Sequence, residues 1–554
     1  MFLVATLCFN RYISEMNPRI RIHSDLIFAD KPAGLTTHQS SPELWGFIEY
    51  LQAFLGQTLY AIHRLDQTTT GCIAFATSKE AAAKYSAFFL NHEVFKKYLF
   101  VTDKDQYVNE DYFLHRSLIV QEGKKHFSNP KEIPNSETEF RRVKRSPFYS
   151  LWSAFPKSGK AHQIRLHAKD IGLNILGDPL YGGTSFPHLC LHAAELKLPE
   201  LPLWQTSAPV FFERLGQFRD PDLIRFLASM DRRERLFQFL SNPEQCQRLV
   251  HHEFEEKIRM DQFGEYLWIY DYEQKPLSLR DAERLKFLSR FSRKKILVRT
   301  MNDRGTNPNE NKLKIIHSDY SKDLDIPTPI PDTWTATESF QEYKAEFVFK
   351  SKVGLSPGLF LDQRCNRSFV FKNSKNKRLL NLFSYTCGFS LAAALGQAKT
   401  VTSVDLSKTF LEWGKENFKQ NGLNPDNPSY PFIKMDSLLY LKKCEKHGQK
   451  FDLIVCDPPS FSRNDKGKTF KIDKDYKSLV SSCLALLDQG GLLLFSTNYE
   501  KWDQNQFQKN LLKLLKELGL GSKFKQLELT DFAVDFELPM HEKLLKFIWL
   551  RRIP

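Results

Sequence analysis

Asp66 is the first residue on which chemistry can be built. It lies in His63-Arg64-Leu65-Asp66-Gln67-Thr68-Thr69-Thr70-Gly71, a Thr-rich stretch closed by glycine that feeds the apolar run Cys72–Ala76. The segment reads as a loop entering a strand. A carboxylate beside the Arg64 guanidinium is poised to stay ionised, and such a group serves as a nucleophile or a base. Taken by itself, the same Asp is also an ordinary turn or capping residue. A second set lies towards the C-terminus. The apolar strand Arg378–Phe383 runs into Ser384-Tyr385-Thr386-Cys387-Gly388, a small-residue turn that lets the backbone approach a ligand. About 17 residues past Gly388, a second strand ends in Asp405, where a carboxylate accepts both hydroxyls of a ribose. Asp436 follows a short apolar run and suits the amino group of an adenine. Asp457-Pro458-Pro459-Ser460-Phe461 follows the strand Phe451–Cys456. Singly, Asp405 and Asp436 also read as strand-end caps; as an ordered set with Asp457 they read as a nucleotide-type pocket.

The elements around these residues fall into three textures. Residues 1–215 carry short β-rich runs such as Leu26–Ala29, Lys97–Val101 and Tyr149–Phe155, several with period-2 character, which predicts an antiparallel sheet with some helices. Residues 216–345 are mixed: a charged helix over Pro221–Leu240, a strand over Tyr266–Tyr272, a polar loop over Met301–Lys314 and a Pro-rich stretch over Asp325–Asp332. They form a linker helix plus a small α+β domain. Residues 346–554 alternate strands (Arg378–Phe383, Thr400–Asp405, Phe451–Asp457, Gly491–Ser496) with helices (Phe389–Gly396, Lys408–Asn421, Tyr476–Leu487). That rhythm predicts a doubly wound α/β, Rossmann-like domain. The fold class is therefore multidomain.

Composition agrees. The 554 residues imply three or four domains at roughly 150 each. Hydrophobic residues make up 42% and charged residues 26%, which excludes wholesale disorder. The net charge of +14 favours polyanionic partners, a nucleic acid or a membrane surface, although a solvated basic surface has the same composition. Nine cysteines without CxxC pairs suit a reducing cytoplasm, not a disulfide framework or a metal site. Met1–Asn10 is apolar but short, with no basic residue before it, and reads as no signal peptide. No apolar run reaches the roughly 18 residues a membrane helix needs.

Lys31-Pro32-Ala33-Gly34-Leu35, the Asp66 segment, Lys96-Lys97-Tyr98-Leu99, Gly159-Lys160-Ala161-His162-Gln163-Ile164-Arg165-Leu166-His167 and Gly177-Asp178-Pro179-Leu180-Tyr181-Gly182-Gly183 stand in one order. Together they resemble the RluA-type pseudouridine synthases over about 200 residues. The resemblance implies that Asp66 is the catalytic aspartate, that Arg165 pairs with it, that Tyr98 packs against the uracil, and that Arg64 helps open the RNA. Thr70 stands where the family usually has Ser, and Lys160-Ala161 where Arg-Thr is common; both leave the carboxylate in place. The reaction needs no cofactor, and the target base must leave its stack to meet the carboxylate.

The C-terminal series, with Gly358-Leu359-Phe360-Leu361-Asp362-Gln363-Arg364, Leu411-Glu412-Trp413 and Asn421-Gly422-Leu423, resembles class I S-adenosylmethionine (SAM) dependent methyltransferases, above all the large-subunit ribosomal RNA enzymes of the RlmI and RlmK type. More weakly, His252–Tyr272 resembles the small domain that precedes them. By that resemblance Gln363, Arg364, Asn381, Ser384, Tyr385, Asp405, Ser407, Asp436 and Asp457 surround SAM, Asp457 being catalytic as well. Pro458 and Pro459 aim Phe461 at the target base, with Asn498 beside it. Carbon-5 methylation of cytosine requires a thiolate on carbon 6, and its enzymes carry cysteine after the Pro-Pro or near position 497. Here Ser460 and Ser496-Thr497-Asn498 occupy those places, and Cys456 sits in a strand that reads as buried. Guanine N7 needs only in-line placement, and Phe495-Ser496-Thr497-Asn498 looks like the RlmK type. The expectation is a cytoplasmic bifunctional enzyme that makes pseudouridine and methylates guanine N7 in 23S ribosomal RNA. The alternatives are cytosine C5 methylation, one active head with the other gripping RNA, and a non-catalytic assembly factor.

Overall fold

Apolar patterning decides which strands are central. Leu26–Lys31 and Thr70–Ala76 are buried along their whole length, whereas Tyr112–Glu122 and Lys125–Asn129 alternate and lie at an edge. The structure, a computed structural model, describes residues 19–39, 45–105, 108–123, 125–236, 246–251, 258–271, 295–300, 313–316, 331–340, 342–353, 356–463, 469–527 and 545–553. Met1–Asn10, Tyr272, the whole 252–257 stretch and most of the predicted loops at 301–314 and 325–332 lie outside these residues. Packing divides the chain into two units, Met1–Pro243 with Leu249–Glu256, and Glu244–Arg248 with Lys257–Pro554.

The first unit is built on one eleven-stranded sheet. Its main path runs Ile20–His23, Leu26–Lys31, Thr70–Ala76, Leu191–Lys197, Phe95–Thr102, Ser150–Pro156, Ser136–Arg145, Tyr112–Glu122 and Lys125–Asn129. The pairings are antiparallel except where Leu191–Lys197 meets Thr70–Ala76 in parallel. At that junction Gly71 faces Ala193 with φ +114°, and a Cβ there would lie 2.1 Å from the Ala193 carbonyl oxygen. Only glycine fits where the Asp66 loop enters the sheet. Helix Gln163–Asp170 packs Ile164 and Ala168 onto Phe100, Phe140 and Trp152. Helix Pro221–Leu236, which the sequence groups with the middle segment, packs within this unit. Its buried Arg235 holds Asp30 of the sheet and Asp231 of its own helix.

In the second unit the strands Ile258–Phe263, Tyr266–Asp271, Lys295–Thr300 and Leu313–Ile316 adjoin in that order. The hairpin Thr333–Phe340 with Tyr343–Lys350 follows. The doubly wound sheet is ordered Phe432–Lys434, Thr400–Asp405, Arg378–Leu382, Phe451–Cys456, Leu487–Thr497, Lys546–Arg552, Phe524–Leu527. The first five strands are parallel, and Lys546–Arg552 runs antiparallel to both neighbours. Strand order therefore reverses beside Arg378–Leu382, and a ligand crevice opens at the carboxyl ends of strands at such a switch point. Among the described residues no helix is long and apolar enough to cross a membrane.

Candidate active sites

In the first unit the helix that carries Arg165 is fixed by its own polar side chains. Gln163 Oε1 accepts from Ser158 Oγ (2.8 Å) and the Lys160 amide (3.0 Å), and Gln163 Nε2 donates to the Glu137 carbonyl (2.9 Å) and Thr138 Oγ1 (3.0 Å). His167, buried and pushed down to about 4 by that burial, shares hydrogen bonds with Thr138, Ser117 and Ser136. These satisfied buried groups fix the helix against the sheet, and Arg165 then points to the loop. Its Nε and Nη2 fork onto Asp178 Oδ2 and Oδ1, each at 2.7 Å, and its Nη1 donates to Asp66 Oδ2 at 3.1 Å. Arg165 and Asp178 are 6% and 1% exposed, against 30% for Asp66. The aspartate thus faces open space while its partner is buried.

That space is a cavity of about 760 Å³ whose wall includes Arg64, Asp66, Tyr98, His126, His162 and Arg165. A second opening of about 570 Å³ reaches Asp66 from the side of Gln67, Thr68 and Pro179. Tyr98 stands in register with Ala193, which is in register with Gly71, so two strand steps bring its ring to the Asp66 loop. Burial, helped by the charge of Asp66, holds its phenol above the usual range. All four residues expected at this site line one cavity. Sequence reasoning missed three supports. Asp178 anchors Arg165. His162, in the left-handed conformation at φ 56°, lies 3.7 Å from Asp66 and shares a 2.7 Å hydrogen bond with the Tyr181 hydroxyl. Lys31 is buried beneath the loop and donates to the carbonyls of Pro32, Gln67 and Thr69 at 3.0–3.1 Å. Each lies inside a quoted motif, but nothing in the sequence indicates where its side chain points.

In the second unit the turn after Arg378–Leu382 carries positive φ at Phe383, Tyr385 and Cys387. Such non-glycine conformations persist where surroundings over-determine them. Here Asp405 Oδ2 accepts the Tyr385 amide at 2.9 Å and Asp405 Oδ1 the Ser407 amide at 2.8 Å, so the acid ends one strand and shapes the turn after its neighbour. Burial raises Asp405, opposed by those amides. Asp457 accepts from Ser496 Oγ at 2.7 Å and Gln363 Nε2 at 3.0 Å, and burial raises it too. A cavity of about 600 Å³ joins Gln363, Tyr385, Asp405, Ser407, Asp457, Pro458, Pro459, Phe461 and Asn498. Asn498 Oδ1 accepts from Ser460 Oγ, and Phe461 is 55% exposed.

Four of the residues expected around the cofactor do not line this cavity. Arg364 is fully buried and donates to the Cys246 carbonyl at 2.7 Å, next to Glu338. Asn381 lies inside its strand and donates to Ser390. Ser384 is buried beside the Cys387 thiol. Asp436 caps the helix Ser437–Lys446 by accepting the Leu439 amide, and it is Ser437 that reaches the cavity. The wall gained Phe360, Asp362, Leu406 and Phe410. Its donor set fits SAM: carboxylates for hydroxyls and a cation, and Leu406 and Phe410 for an apolar ring. Among the described residues no group of His, Cys, Asp and Glu is arranged to hold a metal ion.

Comparison with known proteins agrees with this division. Residues 25–170 match the family model of RNA pseudouridylate synthases, and residues 329–507 that of S-adenosylmethionine-dependent methyltransferases. A "Ribosomal RNA large subunit methyltransferase K/L" of Shewanella pealeana is 37% identical over 201 residues, 36% of this chain and 26% of that protein. Its namesake in Shewanella baltica is 34% identical over 254 residues, 45% and 33% of the two chains. The chain thus spans about a quarter to a third of these relatives. A solved methyltransferase complexed with SAH superposes with a TM-score of 0.50 at 24% identity, covering 65% of this chain and 87% of that one, which is a likeness of fold. The chain carries a domain of the RNA pseudouridylate synthase family followed by a domain of the SAM-dependent methyltransferase family.

Proposed function

We propose that the chain is a two-headed RNA-modifying enzyme. The first unit isomerises uridine to pseudouridine; the second methylates a guanine nitrogen, N7 being favoured, with SAM. The substrate is large-subunit ribosomal RNA, the molecule in the relatives' names. The observation that carries the reading is a pair of separate cavities, one in each family-matched segment, each walled by the acid its chemistry requires.

In the first cavity Asp66 attacks C1′ of the ribose or acts as base towards the sugar; either role requires the anion held by Arg165. The N1–C1′ bond breaks, the uracil turns over Tyr98, and a C5–C1′ bond forms. The proton lost from C5 is balanced by one gained at N1, so no cofactor enters. Arg64, Lys96 and Lys160 line the same cavity, and cations there hold the phosphates of a flipped nucleotide. In the second cavity Asp405 accepts the ribose hydroxyls, while Phe410 and Leu406 flank the adenine. Gln363, held on Asp457, borders the reacting end with Tyr385 and Ser407 nearby. Pro458 and Pro459 stiffen the turn that presents Phe461 and Asn498 to the base. When bound, SAM supplies the methyl group on an electrophilic sulfur. Guanine is favoured over carbon 5 of cytosine because no described cysteine lines this cavity. Cys456, one residue before Asp457, is fully buried, and burial holds its thiol far above the ordinary range.

Two variants of the full chain test the reading on ribosomal RNA from cells lacking it. Asp66→Ala abolishes pseudouridine, detected by carbodiimide labelling, and spares the methyl mark detected by mass. Asp457→Ala does the reverse. Loss of both marks in either variant, or neither mark with the unaltered chain, overturns it.

A further inference from the structure

Among the described residues the cavity of the second unit is lined by three carboxylates, Asp362, Asp405 and Asp457, and by no Lys, Arg or His, in a chain whose net charge is +14. Such a wall suits a cationic ligand. Two of the three acids are already engaged. Asp405 gives both oxygens to the amides of Tyr385 and Ser407, and Asp457 gives both to Ser496 and Gln363. Gln363 Nε2 donates to Asp457 and to Ser496, which uses both of its N–H groups, and its Oε1 accepts from Asn366 at 2.7 Å.

Asp362 differs: among the described residues no hydrogen bond or ion pair reaches its carboxyl. The nearby cations are directed elsewhere. Arg367 forks onto Glu338 and donates to the Phe360 carbonyl, and Arg248 forks onto Asp261. Burial, and then the charge of Asp457, push Asp362 up to about 6 against the weaker pull of Arg248 and Arg367, with Asp261 adding to the rise. A half-buried acceptor in a cavity wall with no donor of its own takes one from the ligand, and a charged donor suits it best.

Resting on the reading of this cavity as a SAM site, we propose that the Asp362 carboxylate receives the α-ammonium of the cofactor's methionine part. Asp405, already assigned the ribose, ends the strand on one side of Arg378–Leu382. Asp457, the charge that Asp362 senses, follows the strand on the other side. The sulfonium carries charge but no hydrogen to donate, so it does not satisfy an acceptor. The ammonium does both.

The test uses the full chain, S-adenosylhomocysteine, which keeps the ammonium, and 5′-methylthioadenosine, which keeps adenosine and lacks the amino-acid part. If the unaltered chain binds neither in calorimetry, the SAM reading itself fails. If it binds both, Asp362→Asn is expected to weaken S-adenosylhomocysteine roughly 10- to 100-fold and to leave 5′-methylthioadenosine within about twofold. Asp362→Glu should recover most of the loss. Near pH 6 the unaltered chain should release protons on binding S-adenosylhomocysteine, read from buffers of different ionisation heat, and Asp362→Asn should not. Equal weakening of both ligands, or no weakening of either, overturns the proposal. Should Asp362→Asn fail to fold, absence of proton release from the unaltered chain overturns it alone.

Discussion

Replacing Arg165 by lysine separates charge from geometry at the first site. Three N–H groups of Arg165 are committed, two to Asp178 at 2.7 Å and one to Asp66 at 3.1 Å. A lysine ammonium keeps the charge but carries its donors on one atom, and it does not span a fork onto one carboxylate and a reach to another. Two of three charge-assisted hydrogen bonds are lost, each worth about 1.5–3 kcal/mol. Part of the attraction survives with the charge, so the first unit loses about 3 kcal/mol, near the lower limit for breaking a buried pair. Asp66, no longer held by the Nη1 of an arginine anchored on Asp178, drifts, and a misplacement of about 1 Å costs on the order of 100-fold in rate. The assay is single-turnover pseudouridine formation by full-length Arg165→Lys, with methyl incorporation measured in the same preparation. Pseudouridine formation should fall about 100-fold while methylation stays within about twofold. A variant that keeps more than about a third of the original pseudouridine rate refutes the view that Arg165, forked on Asp178, positions Asp66.

The buried Lys31 makes stability depend on pH in a definite direction. Burial pushes its ammonium down to about 7 from 10.5, so between those values the unfolded chain binds the extra proton and stability of the first unit rises with pH. The penalty is full below pH 7 and is on the order of 5 kcal/mol at most. Lys31→Met should flatten that rise, checked by urea midpoints of both proteins at pH 7 and 9.5; equal slopes contradict it. Cys456→Ala should leave methylation within about threefold, because no thiolate takes part. A complete loss with the variant still folded would return cytosine carbon 5 to first place.

Much of this molecule is legible residue by residue. Strand and helix types along 378–497 follow from apolar periodicity, and the observed ends differ from the expected ones by a few residues, as at helix Ile472–Leu486, which starts four residues early. The acids Asp66, Asp405 and Asp457 stand out because loops after strands are where an α/β sheet and a Gly-closed turn present side chains. Neighbours in sequence are harder. Gln363 lines the second cavity and Arg364 does not, since one helical step rotates a side chain by about 100°. Asn381 sits in the strand that leads to the turn, and its side chain meets Ser390 of the covering helix. Asp436 closes a helix, a role its position allowed from the start.

Local periodicity and residue chemistry thus determined the elements and singled out the acids, because both are written within a few consecutive positions, whereas the two kinds of reaction proposed here come from the family resemblance. Only the tertiary structure decided which oxygen each donor takes. Arg165 meets Asp66 across 99 positions and Asp178 across 13, Gln363 meets Asp457 across 94, and Asp362 meets none among the described residues. Hydrogen-bond satisfaction is a property of the packed interior, settled when distant segments compete for the same donors.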